Sequence, residues 1–179
     1  DYYYPGYVVP GYPRFDYKAR VGNVEYFDLR TGDWQDFHGF QPTDAPIHHM
    51  ETNLKALQRT LLQKGFYSSI QYYPLFEANL FGFWRIPFFD YPVMLLCSKA
   101  KDAQFFLTAV FDPRSEQFQL LKCSKFDEVQ FYSNESYVNH FSREGFFLDL
   151  LAVEEILENQ KDKEAIAQKI TTISFRSEW

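Results

Sequence analysis

The side chains of this 179-residue chain best suited to bind a metal or act as a nucleophile are four histidines, His38, His48, His49 and His140, and two cysteines, Cys97 and Cys123. Two metal ligands on one helix must lie three or four residues apart to converge. Only His48 with Glu51 meets that spacing, His48 and His49 project about 100° apart, and there is no HExxH motif. No metal is expected, and the two helix-start histidines are expected to pack against the segment before them. Nucleophilic catalysis needs a Ser or Cys beside a His that is itself oriented by a carboxylate. Neither cysteine lies in a polar context, no serine sits in a GxSxG turn, and His140 near Ser142 and Glu144 is a grouping that chance supplies. Phosphate cradles need clustered glycines so that backbone N–H groups can close on the anion. All eight glycines are isolated, which excludes a Walker loop and a dinucleotide fingerprint. The expectation is a chain with no catalytic residue and no cofactor.

What the sequence offers instead is aromatic surface. Twelve aromatic side chains fall in residues 1–42, with neither helical nor strand-like period. Each Tyr or Trp carries roughly 150–250 Å² that gains by leaving water, and a segment of this composition cannot bury itself. Pro5-Gly6-Tyr7 and Pro10-Gly11-Tyr12 repeat a turn signal that places tyrosines on successive bends. The candidate partner-binding residues are Tyr2, Tyr3, Tyr4, Tyr7, Tyr12, Arg14, Phe15, Tyr17 and Trp34, joined by Phe83 and Trp84 in the aromatic stretch 81–91. Tyr, Trp and Arg are the usual anchors of protein interfaces. Asp33 and Asp36 flank Trp34 and could hold a sugar or a cation; a capped turn beside an anchoring indole is the simpler expectation. Arg14-Phe15-Asp16-Tyr17-Lys18-Ala19-Arg20 has a composition that can stack single-stranded bases. A net charge of −6 is the wrong sign for affinity built on phosphate neutralisation, so nucleic acid is disfavoured against protein.

The elements that would position these residues can be read in outline. Residues 1–42 form an extended docking arm containing a short strand over 22–27 and a turn at Thr31-Gly32-Asp33; residues 43–179 form one α+β domain. In that domain Met50, Leu54, Leu57 and Leu61 recur at helical spacing after a cap at Thr43 or Asp44 and a first-turn Pro46, and Gly65 supplies the stop. The period then shortens. Residues 66–73 and 79–89 read as aromatic strand or irregular segments, and 93–98, 104–111 and 117–123 read as an antiparallel meander with short polar joints. A fourth strand is expected over 128–132. Phe146, Leu150, Val153 and Leu157 return to helical spacing, with Ser142 as the cap, and predict a second main helix. A short helix over 163–169 and an edge strand over 171–175 complete the chain. The predicted class is α+β, an antiparallel meander of three to five strands packed against two main helices, with an extended aromatic N-terminal arm.

Composition sets the remaining bounds. At this length a single core suffices. Six carboxylates, Asp149, Glu154, Glu155, Glu158, Asp162 and Glu164, outnumber Lys161 and Lys163 late in the chain and read as a solvated helix face. Two cysteines in apolar strands exclude a disulfide scaffold and suggest buried free thiols, with a bridge between facing strands as the alternative. No apolar run is long enough to span a bilayer, which leaves peripheral proximity to a membrane open. The absence of an initiator Met fits a fragment or a mature chain that has lost a targeting peptide. In general style the sequence resembles an accessory subunit of a mitochondrial complex, such as a respiratory-chain, ATP synthase or ribosomal assembly. The implied function is non-catalytic: a structural subunit docking on other protein subunits through its arm. A small-ligand-binding or enzymatic domain, with His49, Tyr72 or Tyr132 converging in an aromatic pocket, and a single-stranded RNA-binding accessory protein are the alternatives.

Overall fold

The computed structural model describes residues 3, 4, 6, 17, 18, 20, 22–76, 86–97, 105–126 and 145–176. Two strands, β1 (Glu25–Asp28) and β2 (Asp33–Asp36), form an antiparallel hairpin that precedes the helix α1 (Pro46–Gln63). Five further strands follow, β3 (Ser69–Tyr72), β4 (Val93–Leu96), β5 (Phe105–Asp112), β6 (Gln117–Lys125) and β7 (Leu151–Gln160), and then the helix α2 (Lys163–Arg176). The five strands make one sheet in chain order with every neighbour antiparallel, and the molecule is α+β.

The α1 stripe does what its spacing requires. Met50, Leu54, Leu57 and Leu61 are all buried, and the helix ends in a Schellman motif. The Phe66 N–H donates to the Leu61 carbonyl at 2.9 Å and the Gly65 N–H to the Leu62 carbonyl at 2.9 Å, with Gly65 at φ 75°. That backbone conformation is open to glycine at little steric cost, which is why the stop falls there. The start differs from expectation. Ala45, with no side-chain bond to offer, is the N-cap, and Asp44 instead accepts the Gln41 N–H at 2.8 Å within a preceding 3-10 turn (Pro42–Asp44). Pro46 at the first helical position has no N–H to satisfy, and the His48 N–H donates to the Ala45 carbonyl at 2.9 Å in place of a side-chain cap.

Both helices cover one face of the sheet. Strand alternation sends Val93, Leu95, Leu107, Ala109, Phe111, Phe118 and Leu120 towards them, where they meet α1 and Ile166, Ala167 and Ile170 of α2. The opposite face holds Tyr73, Met94, Phe106, Val110, Leu121, Cys123 and Leu151, covered by Phe89 and Phe147 from the segments flanking the sheet. Those segments also cover parts of the sheet's edges. Tyr72 of the edge strand β3 donates its N–H to the Gly145 carbonyl at 2.7 Å and accepts from the Phe147 N–H at 2.9 Å. At the other edge Phe89 donates to the Leu151 carbonyl at 2.9 Å and Val153 to the Pro87 carbonyl at 2.8 Å, with Phe88 bridged to Ala152. Unpaired backbone at an exposed edge invites aggregation, and these straps satisfy it.

The second main helix is not where the spacing of Phe146, Leu150, Val153 and Leu157 puts it. Residues 151–160 are β7, and the helix comes later, over Lys163–Arg176. The register explains the false period. Leu121 faces Ile156 while Leu120 faces Glu158, and Lys122 faces Glu155 while Cys123 faces Val153. Leu157 and Glu154 are therefore extra residues on β7, two bulges three positions apart that overwrite the two-residue strand alternation. The expected edge strand over 171–175 is also corrected: these residues continue α2. The Thr171 and Thr172 hydroxyls donate back to the Gln168 carbonyl at 2.9 and 2.8 Å, which keeps β-branched residues compatible with a helix. Residues 128–132 and the predicted cap Ser142 lie outside the described residues.

Candidate functional site

The hairpin β1–β2 sorts its side chains by strand alternation, and the two faces behave differently. On the inner face Tyr26 packs edge-on against Phe40 at 4.8 Å and Phe37 at 6.4 Å, and Phe37 stacks on Phe40 at 5.1 Å. Asp28 is buried on that face. Its carboxylate accepts the Arg30 backbone N–H at 2.9 Å and pairs with the Arg30 guanidinium at 3.4 Å. Burial alone would raise its pKa, but the Arg30 bonds outweigh burial and hold the carboxyl below its usual range. The loop between the strands closes with the Gly32 N–H on the Asp28 carbonyl at 2.8 Å.

On the outer face the register places Phe27 opposite Trp34 and Glu25 opposite Asp36. The Phe27 and Trp34 rings meet edge to face at 5.4 Å, and Tyr4 leans over the indole at 5.9 Å. These rings touch and stay partly in water: Trp34 is 51% exposed, Phe27 44% and Tyr4 70%. Tyr3 and Tyr17 are more than half exposed as well. Exposed aromatic clusters of this kind are more often seen at interaction surfaces than scattered single rings are. Asp36 accepts the His38 backbone N–H at 2.8 Å and lies 2.7 Å from its Nδ1, and both contacts keep the carboxyl charged well into the acid range.

The sequence-predicted residues divide accordingly. Tyr4 and Trp34 are brought together; Tyr3 and Tyr17 are exposed but make no described ring contact with them. Tyr2, Tyr7, Tyr12, Arg14, Phe15, Phe83 and Trp84 lie outside the described residues. The turn beside Trp34 is capped by Asp36 as expected, and the indole rests on Phe27 and Tyr4 with about half of its surface exposed. Within the stretch 81–91, Phe88 and Phe89 are not docking residues: both are buried in the core. Glu25 and Phe27 are the neighbours of Trp34 that sequence reading missed, and Asp36, named there only as a flank of the indole, faces Glu25; β2 went unpredicted, so the cross-strand partners could not be named. The signal was the turn Thr31-Gly32-Asp33, which sets Phe27 against Trp34 once both flanks are read as strands.

The other polar groups knit the fold. The Tyr72 hydroxyl donates to Glu51 at 2.7 Å, and Lys55 pairs with the same carboxylate at 2.7 Å, tying β3 to α1. Burial and the Glu51 charge push Tyr72 up to about 12. His49 packs edge-on against Phe111 at 5.2 Å, while Tyr72 is engaged by Glu51; Tyr132 is outside the described residues. Cys97 and Cys123 are both free and face opposite sides of the sheet, which removes the alternative of a bridge. Among the described residues no three His, Cys, Asp or Glu side chains gather as metal ligands, and no helix is long and apolar enough to cross a membrane.

No protein-family model, no curated protein and no solved structure matches this chain.

Proposed function

We propose that this chain is a non-catalytic subunit that docks on other protein subunits through its amino-terminal hairpin and the tyrosines that precede it. The observation that carries this reading is the outer face of β1–β2, where Phe27 and Tyr4 both contact Trp34 and all three rings keep a large exposed area. Three rings of this size gain several kcal/mol when a partner covers them, at about 25 cal/mol per Å². The core lies elsewhere: among the described residues every buried hydrophobic cluster is built from residue 50 onward. The hairpin is thus surplus to the interior, as a docking element should be.

The test is the size of the native particle that contains the chain. Full-length protein should migrate on a density gradient with a protein assembly much heavier than itself, and Phe27→Ala with Trp34→Ala should release it to the position of a folded monomer. RNase treatment should leave the assembly intact. A wild-type chain that runs as a monomer in gentle extracts, with residues 1–42 protected from protease, would overturn the reading. The mitochondrial placement belongs to the same proposal, and fractionating organelles before the gradient tests it.

A further inference from the structure

We propose that the partner surface taken by this hairpin is cationic, an arginine- or lysine-bearing protein segment whose charged groups lie on the aromatic faces and between the carboxylates. The inference rests on the docking reading above and adds the chemistry of the occupant. Glu25 and Asp36 sit directly opposite each other on the same face as Phe27 and Trp34. On the other face Asp28 is opposite Asp33. Like charges directly opposite across a strand pair destabilise it, so a hairpin built only to be stable would not set two such pairs around its aromatic pair. Asp28 is relieved by Arg30, and Asp36 has the His38 imidazole beside it; among the described residues no ion pair is formed by Glu25 or Asp33. Across residues 22–44 the carboxylates Glu25, Asp28, Asp33, Asp36 and Asp44 stand against the single cation Arg30.

An exposed indole beside uncompensated carboxylates matches one class of side chain. A guanidinium or ammonium over an aromatic face is attracted by the ring quadrupole, and the same group relieves the carboxylate repulsion, while the alkyl stem covers apolar surface. Phosphate-bearing occupants, nucleic acid or an anionic membrane, would meet the same carboxylates as repulsion. Charge therefore selects a basic protein surface.

The decisive variant is Glu25→Lys. It converts the like-charge pair with Asp36 into an opposite-charge pair and leaves Phe27 and Trp34 in place, so the hairpin should be at least as stable while the cationic partner is repelled. The probe is a short peptide alternating leucine and arginine, with its leucine–glutamate counterpart as control, titrated into the full-length chain while the Trp34 indole N–H is followed by NMR. The arginine peptide should shift that signal, the glutamate peptide should not, and Glu25→Lys should weaken arginine-peptide binding at least fivefold. Raising salt from about 50 to 300 mM should weaken it further. Equal response to both peptides, or undiminished binding by Glu25→Lys, overturns the cationic assignment. In native extracts the two readings separate: if Phe27→Ala with Trp34→Ala releases the assembly but Glu25→Lys does not, docking stands and the cationic partner falls.

Discussion

At the residue scale, two thiols show how far burial alone can set chemistry. Cys97 and Cys123 are 1% and 0% exposed, and loss of hydration pushes them up to about 12 and about 11 from an ordinary 9.0. A thiolate is the reactive form, so native protein at pH 8 is expected to resist iodoacetamide, and both cysteines should label in denaturant. Labelling of either at the rate of a free thiol in native protein would contradict the burial. The same shifts fix a sign in stability. Both groups keep their protons in the fold at pH values where the unfolded chain releases them. Their contribution is complete below about pH 9 and is lost as pH rises towards 12. Urea midpoints should therefore fall across that alkaline window, and Cys97→Ala with Cys123→Ala should flatten the fall. This environment was half legible from sequence: apolar neighbours announced buried thiols, but only the register shows that they occupy opposite faces.

Elements were legible where one local rule acted alone, and illegible where tertiary context overrode it. The α1 stripe, its glycine stop, the three meander strands and the turn at Thr31-Gly32-Asp33 followed from spacing and turn chemistry. β7 did not, because Leu151 and Ala152 are both buried between β6 and the 87–89 strap, and two bulges then break the alternation. α2 was cut short in the reading because Thr171-Thr172-Ile173 is a β-branched run, although Ile166, Ala167 and Ile170 already mark a buried helical face. The glycine stop yields a sharp expectation. A Cβ at Gly65 would meet nothing within 4 Å, so its cost is purely that of φ 75°. Gly65→Ala should lower the unfolding free energy by about 1 kcal/mol, read from urea curves with unchanged slope. A neutral result would mean that the helix end relaxes to another conformation, with the Phe66–Leu61 bond lost from hydrogen-exchange protection.

At the scale of the whole molecule, the buried core and the exposed aromatic hairpin lie in separate parts of the chain. Among the described residues, two interior layers, one under the helices and one under the straps, contain the largest fully buried side chains, and none of these comes from the hairpin. The hairpin holds itself with the Tyr26, Phe37 and Phe40 stack and the Asp28–Arg30 pair, and turns Phe27 and Trp34 outward. Removing residues 1–42 should therefore leave the cooperative transition of the remaining chain in place. The expected change in unfolding free energy is below about 1 kcal/mol, the scale of changes away from the core. Leu57→Ala, which opens the layer beneath α1, should cost about 2–5 kcal/mol by contrast. Far-UV circular dichroism and urea titration of both variants decide the matter. If the shortened chain loses cooperativity while Leu57→Ala is mild, the amino-terminal segment is part of the folding core, and its exposed rings would need an explanation other than docking. If the order is as expected, the acidic aromatic hairpin can change without disturbing the scaffold that carries it, which leaves its sequence free to be set by a partner.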